Sequence, residues 1–228
     1  SKAFLKACSV AHAARNGEDY GVIIEGNVKI DFPKLMDRMK SIRAEISKGD
    51  SAERFAKYYG ANIFLGKGEF MSNNAISVNG KTLKFKKAVI ATGARPNVPS
   101  IPGIDKIKFY NSDNIFNLTK QPERMLIIGS GPIGSELGQG FARLGTKVTM
   151  FERGNQFLAR DDPDVVEYLQ NQMEKDGVNI SFKTSTVNFE PIPGKEPNEV
   201  KVNYKKDGVE HSEEFDAVLL ATGRTPNV

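Results

Sequence analysis

Apolar side chains recur along this chain with two periods, about 3.6 residues and two residues, and the changes between them divide it into helices and strands. Leu5, Cys8 and His12 fall at helical spacing among alanines, so residues 1–16 are expected to form a helix, with Gly17 as a left-handed cap. A second helix is signalled by Asp31, by Pro33 in a first turn, and by Leu35, Met39, Ile42 and Ile46 on one face. Its Lys34, Arg38, Lys40 and Arg43 read as a solvated face. Asp50 and Glu53 resemble a capping box for a third helix that carries Phe55 and Tyr59 and closes at Gly60. Strand periodicity then takes over. Ala75 to Phe85 alternates around Asn79-Gly80, the strongest short hairpin signal, and Ala88 to Ala91 reads as a strand ending in Thr92-Gly93.

The prolines at 96, 99 and 102 and Gly103 mark the stretch after Ala94 as a linker, and place a domain boundary between Arg95 and Pro122. Beyond it the pattern is regular. Met125 to Ile128 is an apolar strand, Pro132 to Leu144 a helix capped by Gly145, and Lys147 to Phe151 a second strand, which together make a βαβ unit. Asp162 and Pro163 start another helix bearing Val166, Leu169 and Met173 and ended by Gly177; strands follow, with a hairpin turn at Asp207-Gly208.

These elements repeat. Gly60-Ala61-Asn62-Ile63 matches Gly177-Val178-Asn179-Ile180, each hairpin turn falls in the corresponding place, and Ala88-Val89-Ile90-Ala91-Thr92-Gly93 matches Val218-Leu219-Leu220-Ala221-Thr222-Gly223. Both copies continue to Pro-Asn-Val. The second copy is preceded by a complete βαβ core and the first by a single helix, so the first unit reads as incomplete at its N-terminus. The fold class expected is α/β: two dinucleotide-binding, Rossmann-like domains with β-meanders, divided as 1–121 and 122–228.

Composition narrows the chemistry by exclusion. Lys and Arg number 32 against 28 Asp and Glu, a net charge of +4 spread through the elements and not gathered in a block, so a nucleic-acid partner is not called for. One cysteine, Cys8, and two distant histidines, His12 and His211, leave no internal disulfide and no metal-ligand set. Cys8 lies on the apolar face of its helix and reads as a core thiol; His12 and His211 read as structural or solvated. No apolar run approaches a membrane span and no signal-peptide pattern opens the chain, which is expected to be soluble and cytoplasmic, or in an organelle matrix.

Gly129, Gly131 and Gly134 form G-x-G-x-x-G directly after a strand and at the mouth of a helix. In that context Gly129 permits the tight turn, Gly131 leaves room for a pyrophosphate, and Gly134 lets helix and strand pack closely. The loop residues Ser130, Pro132, Ile133, Ser135 and Glu136 complete the fingerprint. Glu152 stands at the end of the next strand, where a carboxylate accepts hydrogen bonds from the adenosine ribose hydroxyls and repels a 2'-phosphate. NAD(H) is therefore favoured, with NADP(H) left open by the adjacent Arg153. Thr92, Gly93 and Gly223 end strands that belong to parallel sheets, and are expected at ligand crevices.

With Ser1-Lys2-Ala3-Phe4-Leu5, Ala91-Thr92-Gly93-Ala94-Arg95-Pro96, Gly129 to Glu136 and Ala221-Thr222-Gly223-Arg224-Thr225-Pro226, the chain resembles the flavoprotein (pyridine nucleotide) disulfide oxidoreductases over essentially its whole length. The stretch from Asp50 through Gly66 looks most like the mercuric-reductase-like and dihydrolipoamide dehydrogenase branch. The resemblance implies an FAD-dependent NAD(P)H oxidoreductase in which hydride passes from nicotinamide through flavin to a cysteine pair, and on to a small-molecule or disulfide substrate. It implies that the pair lies just before the opening Ser-Lys, outside this chain, as do the first pyrophosphate loop and a C-terminal domain through which the parent forms homodimers. It further implies that Lys2 lies beneath the flavin and pairs with Glu136, that Gly68, Thr92, Gly93 and Ala94 contact FAD, and that Val187 and Gly223 flank NAD. On that reading the chain alone is inactive and holds FAD weakly or not at all. A cysteine-independent FAD/NADH oxidoreductase and a non-catalytic nucleotide-binding module are the alternatives.

Overall fold

The computed structural model describes residues 1–228, which divide into two compact units, Ser1–Met39 with Ala94–Thr225 and Lys40–Gly93 with Pro226–Val228. The first unit is built on a parallel sheet. Its strands are β5 (Arg124–Ile128), β6 (Lys147–Phe151), β7 (Val178–Ser181) and β11 (Ala217–Leu220), in the order β11-β5-β6-β7. Tyr110 extends the free edge: its amide donates to the Val218 carbonyl and its carbonyl accepts from the Leu220 amide.

Because side chains alternate across a strand, each strand feeds two cores. Met125, Ile127, Val148, Met150, Ala217 and Leu219 point to one face, against helices α1 (Lys2–Arg15), α4 (Pro132–Leu144) and α5 (Pro163–Lys175) and the start of α2 (Phe32–Gly49). Leu126, Phe151, Val218 and Leu220 point to the other, against Phe189, Val200, Val202 and Phe215 of the meander β8 (Thr184–Pro191), β9 (Val200–Lys206) and β10 (Val209–Phe215). Helices, parallel sheet and meander thus form three layers, and the near-continuous apolar strands follow from burial on both faces.

Helix α1 closes on α4 through small residues. A Cβ on Gly140 would stand 3.0 Å from Phe4, 3.2 Å from Leu5 and 3.3 Å from the Cys8 sulfur, so the bare glycine admits the other helix. Further along α1, the Arg15 guanidinium donates to the Arg143 and Leu144 carbonyls. The helices therefore run in the same sense.

The second unit carries α3 (Ala52–Tyr59) and the antiparallel sheet β1 (Gly68–Ser72), β2 (Ala75–Val78) and β3 (Lys81–Lys84). Its hairpin turns as the sequence predicts: Asn79 and Gly80 have φ of 49° and 77°, the left-handed pair of a primed turn.

Several boundaries differ from the sequence reading. Gly17 is no left-handed cap; it opens a short 3-10 turn with Glu18 to Tyr20, and it is glycine because a Cβ would lie 2.7 Å from the Val22 carbonyl. The buried stripe of α2 is Phe32, Met36 and Met39, whereas Ile46 is exposed. Ser51, not Asp50, caps α3, its hydroxyl accepting from the Arg54 amide at 3.2 Å. The stretch after Ala94 contains a strand, β4 (Ala94–Pro96), paired with β12 (Arg224–Pro226). The expected strand Ala88–Ala91 does not form, and Val89 and Ile90 are exposed. Its counterpart in the second copy is held by pairing with β5, and no strand of this chain stands beside the first copy in that role. An extended segment without a ladder partner leaves its amides to water.

Candidate functional site

The G-x-G-x-x-G loop joins β5 to α4, and each glycine is accounted for by its surroundings. Gly129 has φ of 103°, and a Cβ there would lie 2.6 Å from the Ala221 carbonyl. A Cβ on Gly134 would lie 2.3 Å from the Gly129 carbonyl, so helix and turn touch backbone to backbone. Gly131 is different: nothing lies within 4 Å of its absent Cβ. It is the N-cap of α4, Pro132 takes the first helical position, and no side chain caps the helix. A bare glycine facing open space, with uncapped amides and the positive end of a helix dipole behind it, fits a pyrophosphate.

Glu152 follows β6 beside this loop. Its carboxylate accepts from the Ser130 hydroxyl at 2.6 Å, the Ser130 amide at 3.3 Å and the Gly154 amide at 2.7 Å. Partial burial pushes its pKa up, but the hydrogen bonds from Ser130 and Gly154, helped by Arg153, outweigh that and hold it below the ordinary carboxylate value. It stays ionised and aimed. The contribution of a carboxylate with a depressed folded pKa is present above its unfolded pKa and is lost as pH falls through the folded one. Ser130→Ala removes one of the hydrogen bonds, so thermal melts of this variant should approach wild type in acid and fall below it near neutrality.

Residues after β6 and β7 brace the same edge. The Thr184 amide donates to the Glu152 carbonyl and the Lys183 amide to the Gly154 carbonyl, both at 2.9 Å. Arg153 is exposed at the turn. Val187 is 40% exposed and sits at a register shift in β8 between Thr186 and Asn188. At the opposite edge Gly223 ends the turn after β11, with φ of 102°. Ser135 turns its hydroxyl inward to the Gly131 carbonyl at 2.9 Å, so it pins the first turn of α4 from below. The structure thus brings Gly129 to Gly134, Glu152 and Gly223 to the carboxyl ends of adjacent parallel strands, where such sheets bind ligands.

Lys2 opens α1 and Glu136 is the fifth residue of α4; both are exposed, and they form no ion pair. Gly68 opens β1, where a Cβ would press on Ile76 at 3.0 Å. Thr92 and Gly93 are exposed, Gly93 with φ of 72°, and Ala94 begins β4. Of these, only Gly68 and Ala94 lie in strands.

Cys8 is 1% exposed, and burial, the first cause, pushes its thiol up to about 12 despite a backbone hydrogen bond and the Arg143 charge. At that value the thiolate is scarce, so Cys8 should resist aromatic disulfide reagents at pH 8 and react fully only in denaturant. No helix is long and apolar enough to cross a membrane.

The comparisons with known proteins agree with one another. The description of the pyridine nucleotide-disulphide oxidoreductases matches residues 1–228. Mercuric reductase of Bacillus cereus is 30% identical over 226 residues, covering 99% of this chain and 35% of that protein. Dihydrolipoyl dehydrogenase of Acholeplasma laidlawii is 30% identical over 231 residues, covering 100% of this chain and 66% of that protein. Among solved structures, the HOCl-induced flavoprotein disulfide reductase RclA from Escherichia coli superposes with a TM-score of 0.70 at 26% identity, over 99% of this chain and 47% of that one. The chain therefore spans about one third to two thirds of the length of these relatives.

Proposed function

The chain belongs to the pyridine nucleotide-disulphide oxidoreductase family, and from that premise we propose that its second domain, residues 122–228, binds NAD(H) as the electron-donor site of an FAD-dependent oxidoreductase, with 1–121 as the greater part of the FAD domain. The observation that carries this reading is the open Gly131 at the uncapped start of α4, with the ionised Glu152 beside it. When bound, nicotinamide and flavin supply the hydride chemistry. The residues of this chain bind and orient. Loop amides and the α4 dipole take the pyrophosphate, Glu152 accepts the ribose hydroxyls, and its charge opposes a 2'-phosphate. Val187 and Gly223 flank the dinucleotide, while Gly68, Thr92, Gly93 and Ala94 serve FAD. Lys2 and Glu136 draw together as a charge pair near the flavin once both cofactors are present. The electrons pass to a cysteine pair and then to a small-molecule or disulfide acceptor in a cytoplasmic homodimer.

Titration of the purified chain with NADH and NADPH tests the central claim. Glu152→Ala should weaken NADH about tenfold, through loss of charge-assisted hydrogen bonds, and leave NADPH within twofold or improve it. Equal losses for the two would refute the ribose assignment. The chain should also purify without flavin colour, because G-x-G-x-x-G occurs in it once, in the NAD domain.

A further inference from the structure

The Pro-Asn-Val that follows each Ala-Thr-Gly turn has no part in the reading above, and its contacts cross between the copies. The Asn97 amide donates to the Gly223 carbonyl at 3.0 Å. The Thr222 hydroxyl donates to the Asn97 carbonyl at 3.1 Å, and the Thr225 hydroxyl donates to its side-chain oxygen. In the other direction the Asn227 amide donates to the Gly93 carbonyl at 3.0 Å and its side-chain amide to the Thr92 carbonyl at 3.1 Å. Each set lies within one compact unit, Asn97 with Thr222 to Thr225 and Asn227 with Thr92 and Gly93.

We propose that the asparagine ending each copy latches the Thr-Gly turn of the other copy, and that Asn97 is thereby a positioning residue for the dinucleotide site. The second half rests on the NAD(H) assignment above. Two observations give the latch its reach. Gly93 and Gly223 both have φ in the left-handed region, 72° and 102°, which glycine reaches without strain but at a larger loss of backbone freedom than other residues, so hydrogen bonds that fix these turns offset an ordering cost. The turn that Asn97 holds is the one against which Gly129 packs, the Ala221 carbonyl lying 2.6 Å from where a Gly129 Cβ would be. A continuous line of contact runs from Asn97 through Thr222 and Ala221 to the pyrophosphate loop.

The sheet order fixes which half of the ligand this touches. Glu152 follows β6 on one side of β5, and Gly223 follows β11 on the other. A dinucleotide with its adenosine ribose at Glu152 and its pyrophosphate at Gly131 therefore extends its nicotinamide half toward the latched turn. Asn97 accordingly affects NADH and spares an adenosine monophosphate.

The test uses the 228-residue chain with NADH and 5'-AMP as titrants and amide hydrogen exchange as the second readout. Asn97→Ala removes the acceptor for Thr225, and should raise the NADH Kd about fivefold, leave 5'-AMP within twofold and speed exchange across 221–226. Asn97→Asp keeps an oxygen at that position and should restore both. Asn227→Ala should speed exchange across 92–94 and leave 221–223 protected, which is the crossed pattern. Equal weakening of NADH and 5'-AMP, exchange that accelerates only in the copy carrying the substitution, or an Asn97→Ala chain that behaves as wild type would each overturn the latch. If the wild-type chain binds no NADH, the dinucleotide assignment fails, and the exchange comparison alone decides the latch.

Discussion

Replacing Gly134 with alanine should abolish NADH binding and lower the melting temperature by roughly 5–10 °C, the equivalent of about 2–3 kcal/mol of overpacking. The new methyl would stand 2.3 Å from the Gly129 carbonyl, a backbone atom with no rotamer to yield, so α4 must be pushed off the turn or the turn must open. Either movement displaces the amides proposed to take the pyrophosphate. Gly131→Ala supplies the control, because nothing lies within 4 Å of its methyl position and its φ is an ordinary extended value of -75°. That variant should melt with wild type and still bind NADH weakly, since the methyl enters the space a phosphate would take. Calorimetric melts and NADH titrations on the pair separate the two roles. Were Gly131→Ala to bind NADH as tightly as wild type, the open space above it would not be the pyrophosphate site.

Much of this architecture was legible because it rests on local chemistry. Helix α4 runs Pro132–Leu144 as the sequence predicts, since Pro132 sets its first turn and Gly145, with φ of 104°, ends it. Strands β5 and β6 were legible as apolar runs because both of their faces are covered. Most of what escaped depended on partners distant in sequence. Ala88–Ala91 has strand composition, yet a parallel strand exists only through a neighbour, and β5 serves the second copy alone. On α2, Ile42 and Ile46 fit the helical period as well as Phe32 and Met36 do; the packing partner, not the period, selects the stripe. Asp50 and Ser51 are both good caps, and a one-residue choice lies inside the ambiguity of any helix boundary. In the site, Glu152 and the glycines were readable from spacing, whereas the hold of Ser130 on Glu152 and of Asn97 on Gly223 needed the turns to be folded side by side. The Pro-Asn-Val repeats were the one available signal for the latter.

Asp176→Ala should cost about 3–5 kcal/mol, the usual loss when one partner of a buried ion pair is removed. Nothing in its sequence surroundings marks this residue; it caps α5, and its side chain is only 2% exposed. Its carboxylate accepts from Arg143 at 2.8 and 2.9 Å, from Gln139 at 2.7 Å and from Gln172 at 3.0 Å, and His12 of α1 lies 3.6 Å away. One carboxylate thus joins α4 to α5 and reaches the helix that packs on Gly140. Truncation leaves the Arg143 guanidinium, itself 22% exposed, without a counter-charge, and strands the Gln139 amide. The penalty should therefore shrink when the orphaned charge is also removed: Asp176→Ala with Arg143→Met is expected to be more stable than Asp176→Ala alone. Urea unfolding of the two single variants and the double variant gives the coupling directly. Because the pair is shielded from solvent, the coupling should persist in 1 M salt, where an exposed pair such as Lys48–Glu45 would be screened. Additive single-variant losses would mean that the node is a set of independent surface contacts, and that α4 is held to α5 without a coupled ion pair.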